Sequence, residues 1–178
     1  YFIPGLRQSV DDWAPLIRLC EVMDRRKTPD AAFDEQITSI LDLEQFLRVL
    51  AVRIVTADWD AFGVGNGHNG VLVFDSLDKR WKLLPFDVDN TFSNSAPALF
   101  PTADGEIARL MARPWVRRLY FQILEEFING YWSGTTARPY LNAVQTATGV
   151  TTASIVTYLT TTTRHIQNGI KAAQAAVF

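Results

Sequence analysis

The segment VLVFDSLDKRWKLLPF, residues 71–86, constrains the fold more than any other stretch of this 178-residue chain. Two short apolar runs flank the polar turn SLDK, and this arrangement predicts two antiparallel strands joined as a β-hairpin. Elsewhere the apolar residues recur mostly at helical spacing, and residues 105–178 contain no convincing strand. The sequence therefore predicts a mainly α domain, spanning residues 1–178, with one small β-hairpin near its middle.

Helical periodicity predicts three helices before the hairpin and four after it. Asp42 is a suitable N-cap for the strongest of them, which begins at Leu43 and carries Phe46, Leu47, Leu50 and Ile54 on one face. The third predicted helix runs from Leu43 to the loop that begins at Asp58, and the others cover residues 10–26, 31–40, 105–112, 115–131, 136–148 and 151–176. Between the third helix and the hairpin lies DWDAFGVGNGHNG, where three glycines in close succession favour an irregular, tightly folded loop.

Charge and cysteine content exclude several classes of protein. The net charge is −2 and no basic block is present, which argues against a nucleic-acid-binding protein. The single cysteine, Cys20, excludes an internal disulfide and a cysteine-based zinc site. No apolar run is long enough to span a membrane. Cys20 lies in an apolar helical pattern and aromatic side chains bury large areas, so we expect these residues in the core: Cys20, Trp59, Trp81, Trp115, Tyr131 and Trp132.

Two aspartates follow the second predicted strand directly, in the segment LLPFDVDNTF. Residues 87–91, DVDNT, match the D-x-D-x-T pattern of haloacid-dehalogenase-type phosphatases, but that fold needs further strands downstream, and none is predicted. An EF-hand calcium loop beginning at Asp87 would need Gly and Glu where Phe92 and Ala98 stand. Neither pattern accounts for the pair.

A third interpretation combines the segments on either side of the hairpin. Because antiparallel strands return to their origin, the loop before the hairpin should meet Asp87 and Asp89 after it. Oxygen ligands of this kind suit Mg²⁺ or Mn²⁺. The loop contributes these polar residues: Asp58, Asp60, Asn66, His68 and Asn69.

Here the sequence resembles the spore coat protein H (CotH) kinase family, over residues ~35–170. Members of that family carry a W-D segment, a loop ending in H-N before a strand, and a second strand leading to P-W-D-x-D and an aromatic residue. The corresponding segments are Trp59-Asp60, His68-Asn69, PFDVD at residues 85–89, and Phe92. Phe86 stands where the family usually has tryptophan.

The resemblance implies an atypical protein kinase that transfers phosphate from ATP to protein hydroxyls, with Mg²⁺ or Mn²⁺ as cofactor. It implies that Asp60 is the catalytic aspartate that orients the acceptor hydroxyl and accepts its proton. Asn69 and Asp87 would hold the metal that bridges the nucleotide phosphates, and Asp89 would be a further metal ligand. Ordinary kinases separate these Asp and Asn positions by five residues, whereas Asp60 and Asn69 are nine residues apart, so Asn66 is an alternative to Asn69. Asp58 is left open as an alternative to Asp60.

Residues 1–57 contain neither a glycine-rich loop nor a strand lysine, which a kinase N-terminal lobe would supply. We therefore expect a kinase-like C-terminal lobe whose N-terminal lobe belongs to a longer parent chain, and an isolated fragment that is inactive. Family members are often secreted, surface or spore proteins, which implies the same location here. A kinase-like scaffold that serves as a surface-binding, adhesion or spore-coat structural module is the alternative.

Overall fold

A computed structural model describes residues 13–64, 68–93, 96–100 and 105–175. Within these ranges the chain forms seven helices and one antiparallel hairpin, which confirms the predicted mainly α fold. Residues 10–12 of the first predicted helix lie outside the described ranges. The elements are α1 Ala14–Met23, α2 Asp30–Ile40, α3 Leu43–Val55, β1 Gly70–Asp75, β2 Arg80–Pro85, α4 Gly105–Met111, α5 Pro114–Asn129, α6 Gly134–Thr148 and α7 Ala153–Ala175.

Helix α3 is the centre of the core. Its cap is the predicted one, because the Asp42 side chain accepts a hydrogen bond from the backbone N–H of Gln45. Leu47, Leu50 and Ala51 are fully buried, and the helix packs against both α5 and β2. An apolar stripe wider than that of a surface helix fixes α3 in the interior, so its C-terminal end is a firm support for the loop that follows.

The hairpin is fastened to α3 by one side chain. The Gln45 amide donates to the Leu83 carbonyl at 2.6 Å, and its carbonyl oxygen accepts from the Leu83 N–H at 3.0 Å. Gly70, at the start of β1, touches the neighbouring loop so closely that a Cβ there would lie 2.8 Å from Cβ of Phe62. A glycine is therefore required where the loop enters the hairpin, and the hairpin ends are held beside the C-terminus of α3.

A buried arginine ties α4 to the first two helices. The Arg109 side chain is 1% exposed and contacts the Phe33 ring, with 3.9 Å between the guanidinium carbon and the ring centroid. Its nitrogens donate to the Asp30 carboxylate and to the carbonyls of residues 22, 23 and 28. One side chain therefore supplies hydrogen-bond donors to backbone carbonyls at the end of α1 and in the turn before α2.

Three burial predictions are wrong. Cys20 is exposed because α1 buries only a narrow face, and the cysteine lines an open apolar cavity of about 970 Å³ together with Leu16, Met23 and others. Trp59 is 55% exposed because the two residues before it turn inward, and Tyr131 is 80% exposed in the turn after α5. None of the helices in the described ranges is both long and apolar enough to cross a membrane.

Candidate functional site

The site begins where α3 ends. The backbone N–H of Asp58 donates to the Arg53 carbonyl at 2.9 Å, and Ala57 between them has a positive φ of 51°. This turn directs the Asp58 side chain inward, where its carboxylate forms an ion pair with Arg53 at 2.8 Å. The two side chains are 0% and 3% exposed, so the pair is withdrawn from water.

The same guanidinium reaches both ends of the hairpin. Nη2 of Arg53 donates to the carbonyl of Asn69 at 3.1 Å, just before β1, and more weakly to the carbonyl of Asp87 at 3.5 Å, just after β2. The N–H of Phe86 also donates to the Asn69 carbonyl, at 3.3 Å, and continues the ladder beyond the strands. Asn69 and Asp87 are therefore neighbours across the hairpin.

Asp60 joins this group through Asn90. The Asn90 amide nitrogen donates to Oδ2 of Asp60 at 3.2 Å and to Oδ1 of Asp89 at 3.1 Å. The Asp60 carboxyl also lies within hydrogen-bonding reach of Asp58. Asp60 is half-buried, whereas Asp87 and Asp89 are exposed. The exposure of the carboxylates therefore increases along the cluster, from Asp58 buried beside Arg53, through half-buried Asp60, to Asp87 and Asp89 in solvent.

Phe92 closes the loop after the hairpin. Its N–H donates to the Thr56 carbonyl at 2.6 Å, and its ring stacks on Trp132 at a centroid distance of 6.1 Å. The ring also meets the edge of Tyr158, whose hydroxyl donates to the Val55 carbonyl at 3.0 Å. The aromatic residue that the family pattern requires after the aspartates therefore fastens the aspartate loop to the end of α3.

Backbone strain is concentrated at this site. In the described ranges, five residues other than glycine have a positive φ, and four of them are Ala57, Asn69, Asp87 and Phe92. A left-handed backbone costs a residue with a side chain roughly 1–2 kcal/mol, so it persists only where surrounding contacts impose it. Such strain gathers at functional sites because the geometry there is set by chemistry rather than by local preference.

Burial dominates the electrostatics of Asp58. It raises the pKa of the carboxyl to about 6; Arg53 opposes the rise, and Asp60 and Asp89 add to it. Within the described ranges, three oxygens of this cluster are buried and accept no hydrogen bond, both of Asp58 and Oδ1 of Asp60, while Nη1 of Arg53 is a buried donor without an acceptor. The inner part of the cluster thus has more oxygen acceptors than donors.

We expect the stability difference between the wild-type chain and Asp58→Asn to depend on pH. The folded state holds the Asp58 proton more tightly than the unfolded chain, so losing that proton favours unfolding. Between pH 4 and 6 the wild type should lose about 2–3 kcal/mol relative to the variant, and above pH 7 the difference should be constant. Urea denaturation at each pH, with a chelator present, measures it. A constant difference from pH 4 to 7 would contradict the raised pKa.

The structure brings together four of the residues that the sequence singles out: Asp60, Asn69, Asp87 and Asp89. Asn66 lies outside the described residues. His68 is exposed. Asp58 does more than end the helix, because its carboxylate is buried against Arg53.

Arg53 and Asn90 are the residues that sequence reasoning missed. Arg53 lies three residues after Leu50, on the apolar face of α3, and a charged residue at a core position is a signal that it has a buried partner. Asn90 lies inside the aspartate loop, where a polar residue is ordinary, so no comparable signal marks it. Among the described residues, no group of three or more His, Cys, Asp or Glu side chains is placed to hold a metal ion.

The chain has recognisable relatives. The family model described as CotH kinase protein matches residues 6–168, and so extends further towards the N-terminus than the motifs alone indicate. Spore coat protein homolog 1 of Rhizopus delemar is 26% identical over 160 residues, which cover 80% of this chain and 25% of that protein. Invasin CotH3 of the same organism is 27% identical over 74 residues, 42% of this chain and 12% of the relative. The chain thus spans a quarter or less of these relatives' length. Because the family model covers most of its residues, this chain belongs to the CotH kinase protein family.

Proposed function

We propose that this chain is the catalytic lobe of a metal-dependent kinase that transfers phosphate from ATP to serine or threonine hydroxyls of proteins. The observation that carries the proposal is the convergence of Asp60, Asn69 and Asp87 around the end of α3 in a chain of the CotH kinase family. A kinase needs one carboxylate for the acceptor hydroxyl and oxygen ligands for the nucleotide phosphates at one place.

Asp60 would act on the acceptor. The substrate hydroxyl oxygen attacks the γ-phosphorus of ATP, the bond from that phosphorus to the bridging oxygen breaks, and ADP leaves with the electron pair. The hydroxyl proton passes to the Asp60 carboxylate. Asp60 suits this role better than Asp58, since it is half-buried while Asp58 is 0% exposed and paired with Arg53.

Asn69, Asp87 and Asp89 would face the phosphates and the metal. A bound Mg²⁺ or Mn²⁺ would supply positive charge that offsets the phosphate charge. Mg²⁺ commonly takes only one or two protein carboxylates, with phosphate and water oxygens completing its shell, and Asp87 and Asp89 would supply those carboxylates. The excess of buried acceptors at Asp58 and Asp60 also favours a cation nearby.

A thermal shift experiment tests the binding part of the proposal. Mn²⁺ with ATP should raise the melting temperature of the parent chain by several degrees, since ligands that bind only the folded state stabilise it. Asp87→Asn should abolish the shift. Asparagine is preferred to alanine because it tolerates the positive φ of 51° at this position and so adds little strain.

Asp78→Asn is the matched control, because Asp78 lies in the turn at the opposite end of the hairpin and pairs only locally with Arg80 and Lys82. Its variant should show the full shift. Absence of a shift in the wild-type parent chain would overturn the proposal, and a full shift in Asp87→Asn would remove Asp87 from the site.

A non-catalytic surface-binding or spore-coat structural module is a second candidate. The observation that favours it is the outward face of the hairpin, which is apolar and partly open to solvent at Val71, Val73, Leu84 and Phe86. Two relatives are named invasins, and a third is named a spore coat protein homolog. If this candidate is correct, Asp60→Asn should leave binding unchanged while Val73→Lys weakens it.

The same names support a location at the cell surface or in a spore coat. We further propose that the N-terminal lobe of the kinase lies in the parent chain and brings the nucleotide to this lobe. The isolated chain should then turn over ATP far more slowly than a chain with both lobes, and equal turnover by the two would contradict the two-lobe proposal.

A further inference from the structure

We propose that Arg53 is the positioning residue of this site: its guanidinium sets the separation between the Asp60 loop and the two hairpin ends that carry Asn69 and Asp87. The inference rests on the proposed function for its consequence, but its structural content stands on the contacts alone. Arg53 would touch neither the nucleotide nor the acceptor and would act through the residues that do.

The buried guanidinium of Arg53 joins three separate segments of the chain. Nε of Arg53 pairs with Asp58 at 2.8 Å, and Nη2 donates to the carbonyls of Asn69 at 3.1 Å and Asp87 at 3.5 Å. The side chain is 3% exposed and comes from the most deeply buried helix, so its own position is fixed by core packing. A rigid donor shared by these loop ends determines where the ends lie.

The two carbonyls that Arg53 holds belong to strained residues. Asn69 has φ 57° and Asp87 has φ 51°, in the left-handed region, which asparagine and aspartate adopt more readily than most residues but which is uncommon even for them. In each case the peptide that follows the strained residue presents its carbonyl oxygen to the same guanidinium nitrogen. We infer that these hydrogen bonds hold both residues in the conformation that turns their side chains away from the strand direction.

Only arginine can hold these three segments together. A guanidinium offers several N–H groups in a fixed planar fork, whereas a lysine ammonium is a single point on a flexible stem. Only the fork can pair with Asp58 through Nε and reach the two carbonyls through Nη2. Arg53→Lys should therefore keep the charge but lose the alignment.

A double variant separates positioning from stability. Arg53→Met alone leaves Asp58 buried without its counter-charge, and should lower the melting temperature by roughly 10 °C. Combining it with Asp58→Leu replaces the buried ion pair by apolar side chains, which commonly restores stability. The combined variant should recover most of the melting temperature, while the carbonyls of Asn69 and Asp87 still lack their donor.

Hydrogen exchange of the Phe86 amide reports the alignment directly, because that N–H donates to the Asn69 carbonyl. In the parent chain, peptides covering residues 84–88 should exchange at least ~10-fold faster in the double variant and in Arg53→Lys than in the wild type. With Mn²⁺ alone as the probe, the Kd should rise roughly 10- to 100-fold in the same variants. Arg48→Met is the matched control, since Arg48 lies on the same helix but pairs at the surface with Glu44 and Glu126.

Each outcome has a distinct meaning. If the double variant regains both the melting temperature and slow exchange at residues 84–88, Arg53 is only a structural residue and the inference is wrong. Fast exchange in the wild type would overturn it as well. If the wild type binds no Mn²⁺, the proposed function fails, and the exchange measurement still decides whether Arg53 sets the hairpin ends.

Discussion

Arg109→Met is expected to lower the free energy of unfolding by about 3–5 kcal/mol. The guanidinium is 1% exposed and serves the Asp30 carboxylate together with three backbone carbonyls between α1 and α2. Methionine fills much of the same volume and can still pack on Phe33, but it donates no hydrogen bond. The carbonyls would remain in a region with little access to water, and this desolvation without compensation is the main cost.

Urea denaturation monitored by circular dichroism measures this loss. Arg118→Met is the control, because Arg118 is exposed on α5 and its replacement should change the free energy of unfolding by less than about 0.5 kcal/mol. Arg109→Lys should fall between the two, since it keeps the charge but cannot reach Asp30 and the carbonyls at once. A loss below about 1 kcal/mol for Arg109→Met would mean that water replaces the guanidinium donors at little cost.

The fold was predictable from sequence because its signals are local. Helical periodicity, the Asp42 cap and the turn SLDK each report on a few neighbouring residues, and the structure confirms the hairpin and the seven helices. The exposure of Cys20 and Trp59 was not predictable in the same way. Which face of a short helix or loop meets the core depends on distant partners, and residue type alone does not identify them.

The candidate site was likewise predictable from sequence only in part. A hairpin returns to its origin, and this topology alone predicts that Asp60, Asn69 and Asp87 come together. The contacts that fix their arrangement do not follow from it. The Arg53 guanidinium, the Asn90 amide and the positive φ values depend on side-chain geometry across segments up to 34 residues apart in sequence.

Asp60→Asn should reduce kcat for phosphoryl transfer in the parent chain by about 10²–10⁴-fold, with KM for ATP changed little. Asparagine can occupy the same space and still orient a hydroxyl, but it cannot accept the proton that leaves it. The variant should also melt at the same temperature as the wild type or higher, because it removes one of two carboxylates that lie within hydrogen-bonding reach of each other. This combination distinguishes lost chemistry from lost folding.

The decisive comparison is with Asp58→Asn, because the sequence leaves Asp58 as an alternative to Asp60 for the proposed base. If Asp60 is the base, Asp58→Asn should lower kcat much less, since Asp58 is fully buried and paired with Arg53 while Asp60 reaches the surface of the cluster. Steady-state kinetics on both variants, with Asp78→Asn as the distant control, decides between them. If Asp60→Asn keeps a tenth or more of the wild-type kcat, Asp60 is not the base. A larger loss in Asp58→Asn would instead transfer the role to the buried carboxylate, which would then require the Arg53 pair to open during the reaction.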